Sequence, residues 1–128
     1  MLTAFPGDRA LCAFPHQVSV FMKKISVVSP CYNEEDNVET CYETVKAIFE
    51  RDLPGYEREH IFIDNCSTDR TVEILKSLAS KDPAVKIVVN ARNFGVFRST
   101  FNGLRHATGD ATLVKCNKSL CQTGRVLA

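Results

Sequence analysis

The chain has 128 residues, and its 16 lysines and arginines against 15 aspartates and glutamates leave a formal charge of +1. A domain of this size buries roughly two-thirds of the surface its unfolded chain exposes, and a second domain does not fit. The near-neutral balance excludes global attraction to nucleic acid or to an anionic membrane, so any partner must be recognised locally.

Residues 1–21 show no clear periodicity. Pro6, Asp8, Arg9 and Pro15 interrupt their apolar stretches, and no basic segment precedes an apolar core as in a signal peptide. No run approaches the roughly eighteen apolar residues of a membrane span. These features predict a cytoplasmic protein without an integral membrane segment, and Met22 reads as a natural start after an upstream extension. At "KKISVVSP" the pattern sharpens: Ile25, Val27 and Val28 predict a short buried strand bounded by Pro30. From Asp36 onward Val38, Cys41, Tyr42, Val45, Ile48 and Phe49 recur at helical offsets, with acidic residues near the start, and "DLPGY" closes that helix in a loop.

"HIFID" predicts the second strand, and Ser67, Thr68 and Asp69 in "NCSTD" can cap a helix whose inner face is Val72, Leu75, Leu78 and Ala79. After Asp82-Pro83, "VKIVVN" is almost continuously apolar, as a strand buried on both faces should be. Phe97, Phe101, Leu104 and Ala107 then fall at helical spacing as a core stripe, with Gly109 as a C-terminal stop and His106 near the helix end, and "ATLV" predicts a fourth strand. Alternating strands and helices predict an α/β fold, a three-layer sandwich around a mainly parallel sheet with right-handed crossovers.

In such a sheet "SPCYNEE", "DNCSTD" and "NARNFG" meet at the carboxyl edge, where open α/β sheets hold ligands. Asp64 and Asn65 end the second strand, where a carboxylate and an amide can hydrogen-bond a base or ribose. Arg92 and Arg98 flank the third loop, where guanidinium groups can meet a diphosphate. Neither G-x-G-x-x-G nor G-x-x-x-x-G-K-[ST] is present, which argues against a dinucleotide-binding dehydrogenase and a P-loop NTPase. The six cysteines, Cys12, Cys31, Cys41, Cys66, Cys116 and Cys121, form no C-x-x-C pair and have no zinc-like histidine spacing, and reduced thiols are expected. Cys31 and Cys66 lie in site loops, where exposure is open to them, without a catalytic setting; Cys41 lies on the inner helix face as a small hydrophobe.

"ISVVSPCYNEEDNV", "IFIDNCSTDRTVEIL" and "VVNARNFGVFRSTFNGLRHATGD" together resemble the amino-terminal half of family 2 glycosyltransferases, in the polyprenyl-phosphate, dolichol-phosphate mannose synthase-like branch. The resemblance covers about Lys23 to Asp110 and implies the Rossmann-like nucleotide-binding half of a GT-A fold. It also implies that Pro30, Tyr32, Asn33 and Glu34 border base and ribose, that Asp64 and Asn65 contact the base, and that Arg92, Asn93, Gly95 and Arg98 lie close to donor and phosphates. Many family members carry a second Asp where this chain has Asn65. The implied donor is a UDP- or GDP-sugar, the acceptor a polyprenyl phosphate or a saccharide, and the setting the cytoplasmic face of a membrane.

The family continues after "ATGD" with an Asp-x-Asp motif that holds Mg²⁺ or Mn²⁺, whereas this chain reads "ATLVKCNKSLCQTGRVLA", with no acidic residue after Asp110. A divalent ion on a diphosphate needs carboxylate oxygens, and lysines cannot replace them. The half that supplies acceptor site and catalytic base is also missing from the resemblance. The expected organisation is an extension (1–21), a nucleotide-binding half-domain (22–110) and a divergent, frame-shifted tail (111–128), with little catalytic competence. The alternative is a non-catalytic nucleotide-binding or protein-interaction module. An uncovered sheet edge would also favour self-association.

Overall fold

The computed structural model describes residues 22–116. Its elements are β1 (Lys24–Cys31), α1 (Val38–Asp52), β2 (Glu57–Asp64), α2 (Thr71–Lys81), β3 (Val85–Val89), α3 (Val96–Leu104) and β4 (Ala111–Val114). All strand pairs are parallel, in the order β3-β2-β1-β4. β1 pairs with β2 from Lys24 opposite Glu57 to Cys31 opposite Asp64, and with β4 from Ile25 opposite Ala111 to Val28 opposite Val114.

Alternate residues of β2 face opposite layers. Phe62 packs with Val38, Cys41 and Tyr42 of α1 and Leu75 and Leu78 of α2. Ile61 and Ile63 pack with Val28 on the other side, against Leu104 and Ala107. The result is the expected three-layer sandwich, with α1 and α2 on one face and α3 on the other. Ile61, Phe62 and Ile63 are all fully buried, and each such side chain stabilises the fold by about 1.5–3 kcal/mol.

Several expectations need correction. Pro30 lies inside β1 rather than bounding it, opposite Ile63. Val28 accepts from Lys115 N and Cys31 from Asn65 N, so the backbone of Pro30 faces the β4 side, where the ladder has already ended and an N–H is not needed. β3 is an edge strand, not one buried on both faces: Val85 is buried but Val89 is 51% exposed. Ile48 sits at the margin of the α1 stripe, partly exposed.

The largest correction concerns α3. Phe97 and Phe101, expected in the core, are 84% and 68% exposed, while the buried positions of the helix are Ser99 and Gly103. Two contacts explain this inversion. Asn90, at the end of β3, donates to Ser99 Oγ at 3.1 Å and accepts from Asn102 Nδ2 at 3.0 Å. Gly103 lies so close to the sheet that a Cβ there would stand 2.7 Å from Val28 Cγ1 and 3.1 Å from Ile63 Cγ2. The helix docks through its small, polar side because only that side can approach the sheet so closely and pair with Asn90.

α3 ends at Leu104, so His106 and Ala107 lie beyond it and Gly109 is not its stop. Gly109 instead crosses β1: a Cβ there would meet Ser26 Oγ at 2.6 Å and Lys24 O at 2.8 Å. Buried Glu59 anchors the same turn, accepting from Thr108 N at 2.9 Å, Thr108 Oγ1 at 2.7 Å, Ser26 Oγ and Lys86 Nζ. Asp110 Oδ2 accepts from Lys24 N at 2.9 Å, which fixes the start of β4. The tail expected at 111–128 therefore begins with a sheet strand, and its residues from 117 onward lie outside the described residues, as do residues 1–21.

Candidate functional site

The carboxyl ends of β1, β2 and β3 carry loops whose polar side chains lock to one another. Asn33 holds the tight turn after β1 at φ 50°, a left-handed position that an asparagine tolerates and where glycine would be usual. Its side-chain oxygen accepts from Thr68 N at 2.8 Å, and its own N–H donates to Ser67 Oγ at 2.9 Å. Glu34 N donates to Thr71 Oγ1 at 2.9 Å, and Glu35 N donates to Asp69 Oδ2 at 3.2 Å. Asp69 also accepts from Thr71 N at 3.0 Å, which holds the turn into α2 from one residue before its N-cap, Arg70.

Asp64 and Glu34 are both buried. Asp64 accepts from Ser67 N at 2.9 Å and from Ser67 Oγ, which fixes the turn after β2. Glu34 Oε2 accepts from Asn37 Nδ2 at 2.9 Å, while its Oε1 is buried without a hydrogen-bond partner.

Asn65 joins the second loop to the third. Its Oδ1 accepts from Phe94 N at 2.9 Å and Asn90 Nδ2 at 3.2 Å, and its Nδ2 donates to Asn93 Oδ1 at 2.7 Å. Asn93 Oδ1 also accepts from Gly95 N at 2.9 Å, so this atom must be the oxygen and its partner on Asn65 must be a donor. A carboxylate at position 65 could not make that bond. Gly95, at φ 84°, ends the loop and begins α3.

A cavity of about 110 Å³ opens beside these loops, lined by Pro30, Cys31, Tyr32, Asn65, Asn93, Val96 and Ser99. It is smaller than the ~300 Å³ or more of a complete small-molecule site, so it suits one ring of a ligand rather than a whole nucleotide sugar. Four residues singled out in the sequence, Pro30, Tyr32, Asn65 and Asn93, meet there. Asn33, Glu34, Asp64 and Gly95 shape its loops without lining it. Arg92 and Arg98 do not line it either: Arg92 stacks its guanidinium 4.8 Å from the Phe94 ring centroid, and Arg98 is exposed on α3.

Sequence reasoning missed Cys31, Val96 and Ser99 as lining residues. Cys31 is fully buried, and burial, then the nearby Asp64 carboxylate, push its thiol far above the ordinary range. It forms a wall and is no nucleophile. Cys66 is partly exposed at φ 66°, with its thiol toward Ala91 O at 3.8 Å.

No three His, Cys, Asp or Glu side chains converge on a possible metal position among the described residues. Asp110 is tied to Lys24 at the opposite end of the sheet.

Residues 26–114 match the family described as Glycosyl transferase family 2. The chain belongs to that family. The match runs past Asp110 and includes β4. Among curated relatives of this glycosyltransferase family, the chain is 44% identical over 90 residues to a prophage bactoprenol glucosyl transferase homolog of Escherichia coli (strain K12), covering 70% of this chain and 29% of that protein. It is 42% identical over 90 residues to the bactoprenol glucosyl transferase of Shigella phage SfV, with the same 70% and 29% covered. It thus spans less than a third of the length of these relatives.

The solved structures agree in fold. A mannosyltransferase from Pyrobaculum calidifontis, in complex with GDP-Man and Mn²⁺, superposes with a TM-score of 0.59 at 25% identity, covering 76% of this chain and 28% of that one. TarS of S. aureus, residues 1–349 in complex with UDP-GlcNAc, gives 0.60 at 27% identity, covering 78% and 29%. The GT-A assignment and the nucleotide-sugar association of the family stand on these likenesses. No helix among the described residues is long and apolar enough to cross a membrane.

Proposed function

We propose that this chain is the nucleotide-binding part of a transferase that moves a sugar from a UDP- or GDP-sugar to a lipid phosphate, at the cytoplasmic face of a membrane. The observation that carries this reading is the cavity itself. It lies at the carboxyl ends of β1 and β2, where the strand order turns back from β2 and β3 toward β4, the usual ligand crevice of an open α/β sheet. Pro30 and the half-exposed Tyr32 offer a flat wall for a base, and the amides of Asn65 and Asn93 border its edge. Arg92 and Arg98 stand outside this cavity, and in this reading they meet the phosphates or a neighbouring surface. The names of the bactoprenol glucosyl transferases support a lipid-linked acceptor.

The described residues present no metal cluster, and no transfer step is assigned to them. A second reading is a module that binds nucleotide without catalysis. Isothermal titration with UDP and GDP tests both. Binding that weakens at least tenfold on Tyr32→Ala supports the site, and silence toward both nucleotides at millimolar concentration removes it. Release of sugar from a donor by the purified chain separates the catalytic reading from the non-catalytic one. The divergent tail is read as a shifted frame; resequencing its source and finding no Asp-x-Asp strand in any frame would reject that. The exposed β4 edge supports self-association, which light scattering would reject by showing a clean monomer.

A further inference from the structure

We propose that the outer face of α3 is a membrane-docking surface that seats in the headgroup region of an anionic bilayer. Phe97, Phe101 and Arg105 follow one another at intervals of four along one side of the helix and its C-cap, and all three side chains face solvent. Arg98 is exposed next to Phe97, and in the loop before the helix Phe94 is exposed with the guanidinium of Arg92 over its ring. Between Asn90 and Gly109 the chain carries three arginines and no aspartate or glutamate.

The inversion of α3 makes this face more than surplus apolar surface. A helix that buries Ser99 and Gly103 presents two phenylalanines to water, the kind of exposed apolar patch that marks an interaction site. Large apolar rings flanked by arginines, without a carboxylate between them, are the composition that enters the acyl boundary while its cations meet lipid phosphates. A protein partner would need acidic groups to match the arginines, and no bridging carboxylate lies in this segment to help set register. The proposal deepens the lipid-phosphate reading above and rests on it for its purpose. Val96 and Ser99 of the same helix line the nucleotide cavity, so docking would hold that cavity within about one helix diameter, ~10 Å, of the headgroups.

The test is flotation of the purified chain with vesicles of phosphatidylethanolamine and phosphatidylglycerol, compared with vesicles of phosphatidylcholine alone. The expected result is partitioning onto the anionic vesicles that weakens with salt. Phe97→Ser with Phe101→Ser should lower it about tenfold or more, and Arg105→Ser about fivefold, with thermal melting and nucleotide titration unchanged. Absence of wild-type binding, or binding indifferent to the phenylalanine pair, would overturn the proposal. So would a wild-type dimer by light scattering that becomes monomeric in the phenylalanine pair, because the face would then join two copies. Vesicle binding without nucleotide binding would reject the functional reading and keep the docking surface. Nucleotide binding without vesicle binding would do the reverse.

Discussion

α1 and α3 flank the same sheet, yet they use their amphipathicity in opposite senses. α1 turns Val38, Cys41, Tyr42, Val45 and Phe49 inward, so its apolar stripe is its core face. α3 turns Ser99 and Gly103 inward and leaves Phe97 and Phe101 in water. Helical spacing announces that a helix has two unlike faces. The partner decides which of them is buried, and here the partner is Asn90, which bonds Ser99, together with Val28 and Ile63, which only the bare backbone of Gly103 can approach.

The contrast can be broken most forcefully from the α1 side. Phe49→Ala should lower the unfolding free energy by about 3–5 kcal/mol in urea titration, because it empties a packed position between α1 and the sheet. Gly103→Val attacks the α3 contact. A side chain there has to displace Val28 or Ile63, and a loss of about 1–3 kcal/mol is expected, with the nucleotide cavity distorted as α3 lifts.

Acid separates the two faces by pH. His60 is buried on the α1 side, with Nε2 3.0 Å from Ser29 Oγ and Nδ1 unpartnered. Burial, then Arg58, lowers its pKa to about 3. The unfolded chain takes up that proton near the ordinary value of 6.5 and the folded chain does not, so stability falls as pH drops below 6.5. The expected slope is up to about 1.4 kcal/mol per pH unit. Glu59 answers for the α3 side. Burial raises its pKa, but bonds from Lys86, Ser26 and Thr108 outweigh this and hold it at about 2. Its contribution is complete above 4.5 and is lost as pH falls toward 2, so a second slope should set in below 4.5. Urea midpoints across this range check both, and His60→Gln should flatten the window from 6.5 to 4.5 and reduce the slope between 4.5 and about 3, where both groups contribute.

A smaller effect is expected from Asn65→Asp, about 1–2 kcal/mol, because Asn93 Oδ1 loses its donor while Gly95 still pins it as an acceptor. The smallest sharpens the contrast best. Phe101→Ala should change stability by no more than about 0.5 kcal/mol, and a loss near that of Phe49→Ala would mean that α3 is docked through its aromatic side after all.

Much of the fold was legible because apolar periodicity and the Pro, Gly and Asp punctuation act locally. The stripe from Val38 to Phe49 and the run "HIFID" needed no knowledge of their neighbours. The misread elements depend on neighbours. β3 is as apolar as a central strand but lies at the edge, and the orientation of α3 is set by a residue outside the helix.

The site divides in the same way. Pro30, Tyr32, Asn65 and Asn93 carried a signal because polar loops at strand ends are informative, and the motif resemblance sharpened it. Cys31, Val96 and Ser99 shape the cavity through volume alone. The pairing of Ser99 with Gly103 at helical spacing, opposite two phenylalanines, was the available hint that the small side faces in. Side-chain direction misplaced the arginines: residues 92 and 98 flank the loop in sequence, but neither lines the cavity.

The central place of β1 has a consequence for how the chain is made. Its pairing with β4 starts from Lys24 and Asp110, 86 residues apart, so this contact cannot form until the 86 residues that follow Lys24 have been synthesised. At typical elongation rates β1 leaves the ribosome with one edge bare for about 4–17 s. Throughout that interval the β4-facing edge of β1 offers unpaired backbone groups, and the arrival of β4 closes it.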